Sequence, residues 1–266
     1  MTDALFSALL KYWRGRRGCS QLDLALEADV SARHLSFLES GRARPSEAMV
    51  LQLMAALHVP LREQNQMLRA AGFTPRFPEP ELSALDPAVE QAIAKMMRQQ
   101  HPFPLTVLSV ESNILRSNDA AQVLFPLFVA EPERLPEPLN MFTLMFDPRG
   151  MRPFVLEWER VARGMIARLQ REALHRSGDA RLAAQLERIF ELPGVAAEWR
   201  QPDLSMQSDP TLSIRLRRGE LAVGFFTTIT VFSAPHQVTL EELRIESAFP
   251  LDDQTRRTCE RVVGAA

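Results

Sequence analysis

Lysine is almost absent: of 31 cationic side chains only Lys11 and Lys95 are lysines, and the rest are arginines. Schiff-base chemistry and Ser-Lys catalytic pairs therefore have almost no candidates. Cysteine is equally scarce. Cys19 and Cys259 match neither a disulfide framework nor a metal-ligand spacing such as CxxC, so both are read as reduced, packed thiols and no metal site is expected. An excess of one charge is missing too. The 31 basic and 33 acidic side chains leave a net charge of −2, which denies the chain a uniformly basic surface for coating nucleic acid regardless of sequence. Any charge-driven binding must be local.

No apolar run reaches the roughly 20 residues of a membrane span before Arg, Glu or Pro interrupts it. The start, Met1 to Leu10, carries Asp3 and lacks the basic opening and small-residue cleavage site of a signal peptide, so a cytoplasmic location is expected. Catalytic signatures are missing as well: the 5 histidines form no HExxH pair, no GxSxG elbow occurs, and the 11 glycines make no phosphate cradle. The expectation is a non-enzyme without a cofactor. What is present is 266 residues that are 46% apolar, enough for one large or two ordinary globular domains.

The first 75 residues read as short helices closed by polar turns. FTPRFPEPELSALDP (73 to 87) then places prolines at 75, 78, 80 and 87, which favours an extended connector and a domain boundary near 74 to 86. Asp86-Pro87 supplies an N-cap and a first-position proline for a new helix. Beyond His101 the texture mixes strands and helices. LTVLSV (105 to 110) and Ile114 to Arg116 suggest a hairpin, and Pro153 to Ala173 carries the clearest helical period, its arginines off the apolar stripe. Ser177-Gly178-Asp179 ends that helix and caps the next. TLSIRLRR (211 to 218), ELAVGFFTTITVF (220 to 232) and VTLEELRIESAF (238 to 249) predict an antiparallel meander. Asp252-Asp253 and Glu241-Glu242 read as surface carboxylates.

The informative stretch runs from Cys19 to Leu57. Leu22, Ala25 and Leu26 give a short helix one apolar face, Ser20 can cap it, and Asp29-Val30 interrupts it. After a turn of about three residues, Ser31 offers an N-cap to a second helix whose inward face is Leu35 and Leu38 and which Ser40-Gly41 terminates. Such a pair cannot bury its apolar faces alone. Leu5, Leu9 and Trp13, then Val50, Leu53, Met54 and Leu57, then Leu61 and Leu68, supply the flanking stripes that close a helical core.

The second helix presents Ala32, Arg33, Ser36 and Phe37 opposite its inward face, the placement that lets side chains reach base edges in a major groove. Arg33 can pair with guanine, Ala32 and Phe37 can touch a thymine methyl, and Ser31 or Ser36 can bond a phosphate or base. Gln21 starts the first helix, where its amide can hold a phosphate. Arg42, Arg44 and Ser46 form the following turn and cap, and His34 is a further phosphate candidate. Glu39 reads as a structural partner inside the fold, because an acid near phosphates is repelled. Arg14, Arg16 and Arg17 either add phosphate contacts or are solvated.

QLDLALEADVSARHLSFLESGRARPS resembles the helix-turn-helix of the lambda-repressor-like, xenobiotic response element class of bacterial regulators. With MLRAAGF (67 to 73) it is similar to the MmyB-like branch of that class. Many relatives carry glycine where Asp29 stands in the turn. The resemblance implies an all-α DNA-binding domain over residues 1–76, a proline-rich linker and connecting helix over 77–100, and a PAS-like α+β domain with an antiparallel sheet over 101–266. It also implies a small apolar, fatty-acid-like effector. HPFPLTVLS (101 to 109), the Asn118 helix start, LNMFTLMFDP (139 to 148) and RPFVLEWERVA (152 to 162) are similar to the second domain's pattern.

A pocket needs a few polar groups among apolar walls, and Thr227, Thr228 and Thr230 dot an otherwise apolar strand. The expected ligand-binding residues are Phe103, Asn118, Phe142, Phe146, Trp158, Met165, Phe226 and Thr228, with Arg116 and His101 as further head-group partners. For each aromatic or methionine a plain core role competes. The functional expectation is a sequence-specific regulator that binds a double-stranded operator as a homodimer, controlled by the apolar effector. Two rivals are a second domain that only dimerises and an acyl- or aromatic-substrate enzyme fused to the DNA-binding domain.

Overall fold

The computed structural model describes residues 2–175, 179–201 and 213–264. The chain divides into two compact units, one formed by the chain to Ser83 together with Ser233–Glu241, the other by Ala84–Phe232 and the chain from Glu242.

The first unit is helical: α1 (Thr2–Arg16), α2 (Gln21–Glu27), α3 (Ala32–Glu39), α4 (Glu47–Ala56) and α5 (Leu61–Ala70). Serines fix where three of them begin. Ser20 accepts from Asp23 N while the Asp23 carboxylate accepts from Ser20 N, and Ser31 and Ser46 accept from His34 N and Met49 N. Leu35, Leu38, Leu53, Met54 and Leu68 are sealed in the core. Two predicted faces are corrected. In α1 the inward stripe is Phe6, Leu10 and Trp13, with Leu5 exposed; in α2 it is Leu24 and Ala25, with Leu22 and Leu26 exposed at 60% and 73%. Positions 5, 9 and 13 repeat at helical spacing as well as 6, 10 and 13 do, so periodicity alone does not separate the two stripes.

Helix α5 follows Pro60, which offers it no side-chain cap. The Glu241 carboxylate accepts from Leu61 N at 2.9 Å and takes that place. The same segment is tied on by Val238 N to Pro78 O at 2.9 Å and Thr239 Oγ1 to Pro80 O at 2.6 Å. Buried Asn65 accepts from Arg76 N and Phe77 N and donates to Phe77 O. The proline-rich stretch is thus fastened over residues 76–80.

The second unit opens with α6 (Pro87–Gln100), capped by Asp86. It continues through β1 (Leu105–Leu108), β2 (Ile114–Ser117), α7 (Asp119–Leu124), α8 (Met141–Phe146), α9 (Trp158–His175) and α10 (Ala180–Phe190). Then follow β3 (Ser213–Arg218), β4 (Leu221–Thr230), β5 (Arg244–Pro250) and α12 (Asp253–Val263), with α11 (Val238–Glu242) between β4 and β5 belonging to the first unit except for Glu242. The strands form one five-stranded antiparallel sheet in the order β2-β1-β5-β4-β3. The fold is α+β. Because side chains alternate along a strand, the register Thr106↔Glu246 and Thr227↔Ala248 puts Thr106, Phe225, Thr227, Glu246 and Ala248 on one face. Leu105, Val107, Phe226, Thr228 and Ser247 fall on the other.

Three readings of this unit change. VTLEELRIESAF is a short helix followed by a strand, because Thr239 and Glu241 are used as anchors rather than as ladder residues. The helix predicted from Pro153 begins at Trp158, after a 3-10 turn at Arg152–Phe154 and a left-handed Glu157 with φ 53°. Glu242 is buried and ion-paired with Arg181 at 2.7 Å instead of lying on the surface. Asp179 caps α10 through Arg181 N, while Ser177-Gly178 and residues 211–212 lie outside the described residues.

Candidate nucleic-acid interface and ligand cavity

Helix α3 is held by what it buries: Leu35, Leu38 and the Glu39 carboxylate. Arg14 donates to Glu39 through Nε at 2.6 Å and Nη2 at 3.1 Å, and Gln21 Nε2 donates to the same carboxylate at 2.7 Å. Burial pushes the Glu39 carboxyl up, but the Arg14 and Gln21 hydrogen bonds outweigh it and hold the group below the usual carboxylate range. Asp29 forms the corner with φ 48°, the left-handed conformation that aspartate tolerates.

The opposite face of α3 is open. Arg33 is exposed and Ala32, His34, Ser36 and Phe37 are half-buried. The Arg33 guanidinium lies 5.4 Å from the Phe37 ring centroid, so the two side chains share one outward patch. Arg42 N and Ala43 N both donate to Phe37 O, at 2.8 and 3.2 Å, which folds the Gly41 turn back against the helix end. Arg42 and Arg44 are exposed immediately beyond it. A short helix with a capped start, a basic and apolar outer face and two following arginines fits a major groove flanked by phosphates.

In the second unit, a cavity lies between the Thr106 face of the sheet and the helices that cover it. Its enclosed space is about 60 Å³, and the atom-free space reaches about 510 Å³ only when the open mouth is counted. Phe125, Met141, Met145 and Met151 line one side; Ile214, Leu216 and Phe225 line the other. Thr106, Thr227 and Glu246 are its polar groups. Its nearly all-apolar lining suits an apolar group.

Residues 89–262 match the family described as the MmyB-like transcription regulator ligand binding domain, and residues 10–64 match a helix-turn-helix family. The chain belongs to the MmyB-like transcription regulators. No curated protein matches it. The regulator therefore joins a DNA-binding domain to a ligand-binding domain, and none of its described helices is long and apolar enough to cross a membrane.

The structure places the predicted DNA-facing residues of this regulator in three groups. Arg33, Ser36 and Phe37 lie together on the outer face of α3, with Ala32 and His34 in its first turn. Ser31 and Ser46 are exposed, their hydroxyl oxygens already accepting from the helix backbone. Arg42 and Arg44 follow the turn. Gln21 differs, because its amide nitrogen is committed to Glu39. Of the neighbouring arginines, Arg14 pairs with Glu39, Arg17 donates to Leu57 O and His58 O, and Arg16 covers the rings of Tyr12 and Trp13.

The predicted ligand residues lie elsewhere than the cavity wall. Phe142, Phe146 and Met165 are in the core, and Trp158 donates Nε1 to Met145 O beside Phe146. Phe103 packs against that core from a half-buried position. Phe226 stacks on Phe249 and shares with Thr228 the face of β4 turned away from the cavity. Asn118 is spent on backbone: it accepts from Leu105 N and Ala121 N and donates to Phe103 O. Arg116 pairs with Glu90, and His101 borders a separate surface recess with Asn118 and Arg98. Of the lining residues, the sequence offers Phe125, Met141, Met145 and Phe225 as either core or cavity lining without choosing between the two, and it does not mark Thr106, Met151 or Glu246 at all. A signal for the choice existed in the alternation of β4 and the i, i+4 pair Met141 and Met145, but the partner strand needed to choose the face did not show.

Proposed function

We propose that the regulator binds a double-stranded operator as a homodimer, with α3 of each protomer in the major groove, under the control of a small apolar effector held in the sheet cavity. The observation that carries this reading is the outward patch of Arg33, Ser36 and Phe37 on a helix capped by Ser31. Arg33 reads a guanine edge; Arg42 and Arg44 grip the backbone on either side. The operator places this work in the cytoplasm.

Chain order supports a link between the two activities. The chain leaves β4, contributes Ser233–Glu241 to the DNA-binding unit, and returns as β5. Thr227 on β4 and Glu246 on β5 both line the cavity. An effector that prefers one setting of these strands shifts the population of the connected segment, including the Glu241 cap of α5. Fragments of the source genome selected on the full-length protein test the reading. A shared enriched sequence that loses one base preference with Arg33→Ala is the expected result. No enrichment, or an unchanged motif with Arg33→Ala, overturns it.

A further inference from the structure

A separate recess of the ligand-binding domain carries a positive sign. It is formed by Pro148, Arg152, Pro153, Trp158, Pro193 and Gly194, and it shares no lining residue with the sheet cavity. It encloses about 380 Å³, and about 640 Å³ when the open mouth is counted. The enclosed space falls within the about 300 to 1,000 Å³ of small-molecule sites. Only Arg152 and Trp158 bring polar side-chain atoms to it, and the Trp158 indole nitrogen is spent on Met145 O at 3.1 Å. What remains is the guanidinium.

Arg152 is held in place by its surroundings. Its guanidinium carbon lies 3.8 Å from the Trp158 ring centroid, and Nη1 donates to Phe146 O at 3.4 Å and to Pro193 O. Gly194 has φ 73°, and a Cβ there would collide with Nη2, so the chain passes this close to the arginine only because residue 194 is glycine. Nε and Nη2 are left without an acceptor, and no carboxylate pairs with this arginine, among the described residues. Its acidic neighbours are committed: Asp147 accepts from Arg149 Nε and Nη2 at 2.9 and 2.6 Å, and Glu157 accepts from Arg160 at 2.7 Å.

A half-buried guanidinium gives up hydration that a wall of prolines does not return. Burial works against its charge, and the field of Asp147 offsets only part of that effect. The two oxygens of a carboxylate match the planar fork of Nε and Nη2 and supply the missing counter-charge. The proline rim then adds apolar contact that a bare inorganic ion cannot use.

We infer that this recess is a second ligand site, which takes the carboxylate of a small organic acid: its oxygens on Arg152 Nε and Nη2, its apolar body against Pro148, Pro153 and Pro193. The site is independent of what fills the sheet cavity.

The test titrates full-length protein with benzoate, its neutral counterpart benzamide and inorganic phosphate, following the indole N–H signals of the three tryptophans. Benzoate is expected to bind at least ten times more tightly than either other probe. It should move the Trp158 signal while that of Trp13, in the DNA-binding unit, stays still. Arg152→Gln should lose at least tenfold of that affinity. Pro148→Glu, at an exposed position, should do the same by bringing a competing carboxylate to the recess while leaving the bonds from Arg152 to backbone intact, which keeps the test valid where Arg152→Gln unfolds. Arg217→Gln, an exposed cation on β3 outside the recess, should change affinity less than twofold. Benzamide or phosphate binding as tightly as benzoate, benzoate affinity that survives both recess variants, or no benzoate binding overturns the inference.

Discussion

Arg14 clasps Glu39 across 25 residues of chain, Nε to Oε1 at 2.6 Å and Nη2 to Oε2 at 3.1 Å. The carboxylate is 2% exposed, and Gln21 supplies its third bond. Helix α3, proposed to face DNA, is therefore fastened to α1 and α2 by a charged group on its inner side. Removing that charge strands a guanidinium and an amide, and breaking a buried pair in this way costs about 3 kcal/mol. Glu39→Ala is expected to lower the stability of the DNA-binding unit by that amount, with Glu39→Gln in between, measured by chemical denaturation.

The pH dependence has a defined sign. The folded state holds the Glu39 carboxyl below its ordinary value, so its contribution is complete above the unfolded pKa, about 4.3, and is lost as pH falls through the folded value. Melting curves recorded from pH 6 down to pH 3 should show wild-type stability declining below about pH 4.5. The Glu39→Gln protein should decline less steeply over the same interval.

What sequence could reveal was local. Ser20, Ser31, Ser46, Asp86 and Asn118 each announce a helix start, because a short polar side chain ahead of an apolar period has few other uses. Helix α3 was legible for the same reason, its ends and inner leucines lying within one short window. What stayed hidden required a distant partner. Whether Phe225 or Phe226 faces the cavity depends on pairing with Pro250 and Phe249, and whether Glu241 is surface or cap depends on Leu61. The choice between Leu5 and Phe6 is settled only by the helices packed against α1.

Phosphate clamping leaves a signature in salt. If a dimer neutralises about eight phosphates, log affinity should fall against log salt with a slope near about −7. Arg44→Ala in both protomers removes two contacts and should flatten the slope by about 2, weakening all sequences alike. Arg33→Ala should instead cost about 1 to 3 kcal/mol on the preferred operator and little on unrelated DNA. Fluorescence anisotropy over a salt series separates the two effects, and equal losses on every sequence for both variants would contradict the division of roles.

Asn118 joins the start of β1 to the start of α7. Its Oδ1 accepts from Leu105 N and from Ala121 N, both at 3.0 Å, and its Nδ2 donates to Phe103 O at 2.9 Å. Asn118→Ala leaves a buried strand donor and a helix N-terminus unpaired, at a cost of about 2 to 4 kcal/mol. Asn118→Asp keeps both acceptor bonds and should cost less. Affinity of the folded fraction for a neutral apolar probe such as octanol should be unchanged in either variant, because the amide is directed at backbone rather than at the cavity; a selective loss of affinity would instead assign it to the ligand.

The two cysteines should differ in reactivity because they differ in what surrounds them. Cys259 on α12 is fully buried, and burial, with Glu260 adjacent, pushes its thiol up to about 11. At pH 8 only about one molecule in a thousand carries the reactive thiolate there, and that sulfur is out of reach. Cys19 is half-buried, with Sγ 3.6 Å from Arg14 O. A maleimide pulse on native protein should therefore modify one site per chain, at Cys19, and Cys19→Ser should abolish native labelling. Cys259 should react only as the unit around it opens, so its labelling rate in a denaturant series should track unfolding of the ligand-binding domain. Equal rates at both thiols in native buffer would mean that α12 does not stay docked on the sheet.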